Sequence, residues 1–342
     1  MFAKPASGWV NMVQTAQLTP SDNGYNGFGY SVAIASDTIA VGGGAAETYI
    51  YVKPSGGWQN MTETAIIQDG SGNSGDGFGD AVAFDGAADT LIVTAEFSNV
   101  AAVNGGAAYV FAKPAGGWQS TSAPVAVLTP SDASEDVNWG ASVVLDGNTV
   151  VVGSPFQPLF SNYGAAYVFV KPTAGWTSMT ETAKLTVSKQ LLDAELGTSV
   201  SISGNTIVAG APGPAPVSGH VYLFTEPAGG WRTATESGRI DAGNTYEDAF
   251  GASVSLGGNK LAVGASAVEI GTYPYVGAVY LFVEPASGWQ STSKFNYEFT
   301  AKYGIQYDGL GYSVALDGGT LFAGAPFAYN LADVGAAYVF TF

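Results

Sequence analysis

The sequence predicts an all-β fold, a six-bladed β-propeller of four-stranded antiparallel blades, and three observations predict it. A Gly-Trp pair recurs six times, three residues after Lys-Pro or Glu-Pro: Gly8-Trp9, Gly57-Trp58, Gly117-Trp118, Gly175-Trp176, Gly230-Trp231 and Gly288-Trp289. An aromatic-Gly or Leu-Gly step also recurs six times, at Phe28-Gly29, Phe78-Gly79, Trp139-Gly140, Leu196-Gly197, Phe250-Gly251 and Leu310-Gly311, its glycines 50, 61, 57, 54 and 60 residues apart. Between them lie short β-branched runs joined by Asp-Gly or Gly-Asn, with no helical period. Self-similarity at a near-constant spacing marks a repeat architecture, and four short strands per 57 or so residues is the footprint of a propeller blade.

The elements follow in order in the unit that contains the fourth Gly-Trp pair, Gly175-Trp176. Residues 141–145 form strand A, Asp146-Gly147-Asn148 a tight turn whose residues accept positive φ, and residues 149–153 strand B. A longer loop leads to strand C over 164–170. Pro172 removes a ladder donor, Gly175 and Trp176 turn the chain, and residues 181–186 form strand D. The chain begins with Lys4-Pro5, Gly8-Trp9 and a D strand over 14–18, and ends with a C strand over 335–340. These fragments complete one blade, so the N-terminal D strand is expected to join the C-terminal A, B and C strands and close the ring. Residues 1–342 read as a single domain.

With 46% hydrophobic and 11% charged residues, the chain can bury a large core. No run approaches the roughly 18 apolar residues of a membrane helix. The start lacks the regions of a signal peptide and lies inside a repeat, as expected of a mature or excised domain with tandem neighbours or surface attachment in a parent protein. Cysteine is absent, which excludes disulfides and thiolate metal sites. A net charge of -17 opposes phosphate backbones and argues against a nucleic-acid partner. Asn60-Met61-Thr62 is a glycosylation triplet.

The strand-opening Phe-Gly, with Gly210-Ala211-Pro212 and Gly324-Ala325-Pro326 after strand B, resembles the FG-GAP repeat of integrin α-chain propellers and many secreted bacterial proteins. The Lys-Pro-x-x-Gly-Trp motif is similar to the bacterial-type members. Gly153-Ser154-Pro155 and Gly264-Ala265-Ser266 are near matches, whereas Gly42-Gly43-Gly44 and Thr94-Ala95-Glu96 depart further. The resemblance implies adhesion or recognition at the cell surface or outside the cell. Integrin propellers have seven blades, so their ligand site does not transfer by position.

Alternating strand direction places the A-B and C-D turns on one face and the D-A and B-C loops on the other. The first carries Lys4, Lys53, Lys113 and Lys171 and reads as scaffold. The second has the long, variable loops where binding resides. It holds sixteen acidic residues, among them Asp136 and Asp193, against Lys189 and Lys302. Its B-C loops add Phe97, Phe156, Phe160, Tyr163, Tyr273, Tyr275, Phe327 and Tyr329. Rings beside carboxylates suit sugars, through stacking and hydroxyl hydrogen bonds, and equally suit a protein interface. The expected function is extracellular recognition of a protein or carbohydrate ligand; a polysaccharide-acting enzyme using loop carboxylates and a structural surface-assembly protein are the alternatives.

No cofactor is required by the sequence, and calcium is the one ion it suggests. The resemblance implies an Asp-x-Asp-x-Asp-Gly calcium loop between strands A and B, but here that connection is cut to Asp146-Gly147-Asn148 or Gly204-Asn205, too short to wrap an ion. Weaker echoes lie in the D-A loops: Asp69, Asn73 and Asp76 in one, Asp132 and Asp136 in another. Asp76, Asp248 and Asp308 recur just before the aromatic-Gly or Leu-Gly step, which favours a turn role over a unique catalytic acid. His220, the single histidine, reads as a strand-start residue with a local hydrogen bond, and the tryptophans read as blade packing.

Overall fold

The computed structural model describes residues 1–22, 27–43, 46–71, 73, 75–158, 160–213, 219–243, 248–328 and 335–342. The fold class is that of a six-bladed β-propeller: six mainly antiparallel sheets and, among the described residues, no helix. The chain divides into two compact units, Met1–Glu135 with Lys171–Thr180, and Asp136–Val170 with Glu181–Phe342.

In the first unit, one sheet runs Ser31–Ala35, Thr38–Gly43, Glu47–Val52, Ala65–Gln68 in spatial order. The next runs Phe78–Phe84, Thr90–Ala95, Ala107–Ala112, Ala126–Thr129. The second unit holds four sheets, whose A strands are Ser142–Asp146, Ser199–Ser203, Phe250–Gly257 and Ser313–Asp317. B strands such as Thr206–Ala211 are buried at every position because a sheet face is covered on each side, which is why they read as continuous apolar runs rather than alternating ones. The A-B turns are two residues long at Gly147-Asn148 and Gly204-Asn205, with Gly147 at φ 56° and Gly204 at φ 58°. Side-chain oxygens cannot encircle a cation from so short a turn, so the calcium loop of similar repeats has no counterpart there.

The aromatic-Gly or Leu-Gly step and the glycine near the end of strand B meet at one place, the junction between consecutive blades. The aromatic of the strand-opening step fills the core: Phe250 and Trp139 are fully buried, with Phe250 edge-on to Phe282 at 6.2 Å and Trp139 edge-on to Phe169 at 5.9 Å. The glycine after it turns its carbonyl onto the preceding blade. A Cβ on Gly210 would lie 2.0 Å from the Gly251 oxygen, and one on Gly153 would lie 1.9 Å from the Gly197 oxygen. Only hydrogen fits, which explains the glycine next to last in five of the six B strands, the second blade having Thr94 there. The same carbonyls accept from strand-A serines, Ser199 Oγ to Gly251 and Ser142 Oγ to Gly197, each at 2.8 Å.

One feature was not legible beforehand. Met179–Thr180 and Ala234–Thr235 add parallel strands to the D strands Ala126–Thr129 and Ala183–Thr186, so the Trp-containing connector ties one blade to its predecessor. The last sheet has three strands, Ser313–Asp317, Thr320–Ala325 and Ala336–Thr341, and the N-terminal segment belongs to the first unit. Thr15 N donates to the Met1 carbonyl and Ala3 N to Thr15 Oγ1, as Thr64 N donates to Ile50 and Val52 N to Thr64 Oγ1 in the first blade. Met1–Ala3 therefore occupies the place of a strand-C end, as the match of Phe2-Ala3-Lys4-Pro5 to Phe111-Ala112-Lys113-Pro114 implies.

Candidate functional site

The site begins with two loops of the second unit that share one backbone frame. In the B-C loop after Lys260–Ala265 and the D-A loop before Leu310, three bonds zip the chains together: Tyr307 N to Pro274 O at 3.1 Å, Gly309 N to Tyr275 O at 3.0 Å and Leu310 N to Val276 O at 3.0 Å. Two blades earlier the same frame recurs, with Asp193 N to Ser161 O, Glu195 N to Asn162 O and Leu196 N to Tyr163 O at 2.9 to 3.2 Å. Gly277 and Gly164 permit both close approaches: a Cβ would sit 2.2 Å from Leu310 O in one and 2.1 Å from Leu196 O in the other.

The side chains on this frame differ. At the earlier junction, Asn162 (φ 45°) and Asp193 (φ 56°) take left-handed conformations that Asn and Asp tolerate, and Asn162 Nδ2 donates to Asp193 Oδ1 at 2.9 Å. At the later one the same two places hold Tyr275 (φ 56°) and Tyr307 (φ 71°). A bulky residue there costs about 1–2 kcal/mol. The rings stack at 5.5 Å with 17° between planes. Beside them Tyr312 and Phe327 meet edge to face at 6.1 Å and 85°. Tyr275, Tyr307, Tyr312 and Phe327, with Ser266, Ala267 and Gly309, line a cleft of about 420 Å³. Each of the four rings stays about half exposed. Beneath, Asp308 is buried; its Oδ2 accepts from Ile305 N at 2.8 Å, and its Oδ1 has no hydrogen-bond partner among the described residues. A flat aromatic floor, a perpendicular wall and tyrosine hydroxyls can hold a ring or side chain by stacking while offering polar contacts.

A hollow of about 660 Å³ in the first unit is lined by Lys113, Pro114 and Trp118 of the repeat motif, and there Lys113 pairs with Asp89. These residues belong to the scaffold pattern, so the smaller aromatic cleft is the better candidate.

Of the residues singled out from sequence, Tyr275 and Phe327 come together in the cleft. Tyr273 is exposed two residues before Tyr275, its backbone paired with Ile270. Phe156, Phe160, Tyr163 and Asp193 belong to the polar junction; Phe160 is 89% exposed. Asp136 is exposed at φ 55°. Phe97 belongs to the first unit, where its amide donates to Asp76 O at 3.0 Å. Tyr329, Glu247 and Asp333 lie outside the described residues. Sequence reasoning missed Tyr307 and Tyr312, although aligning Tyr307 with Asp193, each three residues before Leu-Gly, would have exposed the substitution.

The carboxylates divide likewise. Asp69, Asp76, Asp248 and Asp308 are buried rather than displayed on a charged surface. Ser71 Oγ donates to Asp69 Oδ2 at 2.7 Å and Asp76 Oδ2 at 3.1 Å, and Asn73 Nδ2 donates to Asp76 Oδ1. Burial pushes the Asp76 pKa up, with Asp69 adding to the shift. Asp69, Asn73 and Asp76 are thus joined in one loop, whereas Asp132 and Asp136 are exposed in another. Among the described residues no three acidic or histidine side chains gather as a metal cluster. Burial also pushes Asp80, at the start of the second blade, up to about 6. His220 Nδ1 lies 2.6 Å from Asp241 Oδ1, the local bond expected of a strand-start histidine. Burial of Asp241 opposes its charge, but His220 and Arg239 outweigh it and hold the carboxyl below the usual range.

Fold and cleft together define a β-propeller with an aromatic cleft in its loops, an arrangement suited to a ligand-binding or adhesion-type module. Residues 12–50, 123–169 and 179–224 match the FG-GAP repeat family model, so these three segments carry FG-GAP repeats. Comparison with curated proteins gives no match. No helix among the described residues is long and apolar enough to cross a membrane.

Proposed function

We propose that this chain is a recognition module, acting outside the cell or at its surface, that binds a protein or carbohydrate ligand through the cleft of Tyr275, Tyr307, Tyr312 and Phe327. The observation that carries the reading is the strained tyrosine pair. Two bulky residues occupy left-handed positions that Asn and Asp fill on the same frame, and backbone strain of this kind persists where surrounding structure and function hold it. The rings gain only partial burial in return, since both remain about half exposed. Their use is to an incoming partner.

The reading is of binding without turnover and without a required ion. Screening wild-type protein against immobilised glycans and surface proteins, with and without EDTA, tests it. A ligand class that is retained unchanged over time and is indifferent to EDTA supports the proposal; absence of binding to every glycan and protein, or conversion of a bound glycan to shorter products, overturns it. Salt separates the two ligand kinds. A neutral sugar held by stacking keeps its affinity as ionic strength rises, whereas a basic protein attracted to a chain of net charge -17 loses affinity.

A further inference from the structure

The aromatic cleft has beside it a carboxylate that the loop frame does not require. Asp308 stands between Tyr307 and Gly309, both of which line the cleft, and is 2% exposed. At the polar junction the matching place is Ala194. Its amide donates to Leu191 O at 3.2 Å, as Asp308 N donates to Ile305 O at 3.2 Å, so the turn forms without a carboxylate. Asp308 Oδ2 accepts from Ile305 N, but Oδ1 has no hydrogen-bond partner among the described residues. Asp76, the corresponding residue of the second blade, has both oxygens met, by Ser71 and Asn73. A buried carboxylate oxygen without a donor is costly, and a positive charge brought close offsets that cost.

Among the described residues that line the cleft none is basic. Lys302, the single basic residue of the D-A loop over 300–309, sits over the Tyr303 ring at 5.1 Å instead. The four rings offer an incoming cation a favourable surface. Tyr275 and Tyr307 lie nearly parallel at 17°, Tyr312 and Phe327 nearly perpendicular at 85°, and each keeps about half its surface in solvent. Ring faces are negative, so a cation held over several of them is attracted by each. Hydrogen-bond acceptors are sparse by comparison: the lining side chains give the hydroxyls of Tyr275, Tyr307, Tyr312 and Ser266, and no carboxylate or amide. A guanidinium or a primary ammonium brings several N–H donors that such a lining leaves largely unmet, whereas a quaternary ammonium brings none.

We infer that the cleft takes a quaternary ammonium group carried by the recognised ligand, with Tyr275, Tyr307, Tyr312 and Phe327 around the cation and Asp308 as its buried counter-charge. The inference rests on the assignment of recognition to this cleft and names the chemistry of the group that enters it. A volume of about 420 Å³ admits a trimethylammonium head with part of its carrier. The chain's net charge of -17 favours the encounter.

Calorimetric titration of the full chain at constant ionic strength tests the inference, with choline chloride and with its uncharged isostere, the same alcohol with carbon in place of nitrogen. Choline should bind saturably and at least about tenfold more tightly than the isostere, the difference expected of a cation over partly desolvated rings. Asp308→Asn keeps an acceptor for Ile305 N and removes the charge; Phe327→Leu keeps apolar bulk and removes a ring face. Each should fold as wild type by circular dichroism and weaken choline at least about threefold, and Asp308→Asn should leave the isostere unaffected. Absence of saturable choline binding, equal binding of the isostere, methylguanidinium bound as tightly as choline, or choline affinity unchanged in both variants would overturn the inference. Its failure is distinct from failure of the recognition reading. A glycan or protein captured by wild type, lost from Tyr275→Ala and not displaced by choline keeps recognition and removes the quaternary ammonium. Choline binding with no glycan or protein captured keeps the cation site and removes recognition.

Discussion

Two junctions of the second unit, one polar and one aromatic, are built on the same backbone and differ in what stands on it. The zipped loops, the glycine at the close approach and the left-handed positions coincide, so the frame itself belongs to the fold. Asn162 and Asp193 suit those positions and satisfy each other by a hydrogen bond. Tyr275 and Tyr307 do not suit them, leave half of their surface in water and border a cleft. The difference separates what the repeat needs from what a ligand needs.

The largest expected effect strikes both junctions alike. Gly164→Ala and Gly277→Ala drive a Cβ into backbone, at 2.1 Å and 2.2 Å, so each should cost about 3 kcal/mol or more in denaturant unfolding. A small cost at one and a large cost at the other would show that the frames are not equivalent. Next in size is the functional contrast: Tyr275→Ala should weaken ligand binding at least about tenfold, the loss expected of an aromatic anchor, while Asn162→Ala leaves the affinity within about twofold, as titration of both against the same captured ligand would show.

A smaller effect runs in the opposite direction. The pair Tyr275→Asn with Tyr307→Asp installs the polar junction on the aromatic frame, relieving the left-handed strain at the loss of one stacked contact. Unfolding should show a gain of about 1 kcal/mol together with loss of binding, the exchange of function for stability that a strained site predicts. Smallest is a pH effect confined to the polar junction. Burial, reinforced by Asp193, pushes the Glu195 pKa up, whereas Gly309 holds the matching place in the aromatic junction. A carboxyl with a raised folded pKa penalises the native state above that pKa, and the penalty fades as pH falls toward the ordinary glutamate value. Glu195→Gln should flatten thermal stability across that acid window; an unchanged pH profile would remove Glu195 from the account.

Much of the fold was legible because its signals are local and repeated. Asp146-Gly147-Asn148 marks a hairpin by its φ requirement, and each aromatic-Gly step marks a strand start that later proved to be the interlocking point of two blades. Met179–Thr180 escaped because a two-residue parallel strand has no period to detect. The N-terminal pairing was legible because Phe2-Ala3-Lys4-Pro5 matches Phe111-Ala112-Lys113-Pro114, which places Met1–Ala3 at the end of a strand C, as its hydrogen bonds show. At the cleft, Tyr275 and Phe327 were readable as loop aromatics. Tyr307 and Tyr312 were hidden because the D-A loops were weighed for charge, and the same weighing counted Asp248 and Asp308 as surface charges although they are buried under the loops. Composition names the residues of a loop face, whereas burial decides which of them meet a ligand.

The most direct measurement is a side-by-side array of glycans and surface proteins probed with wild type, Tyr275→Ala and Asn162→Ala, all three first matched for folding by circular dichroism. A ligand that binds wild type and Asn162→Ala equally and is lost from Tyr275→Ala is the predicted result. Equal binding by all three proteins, or loss from Asn162→Ala instead, would contradict the assignment of recognition to the strained tyrosine cleft.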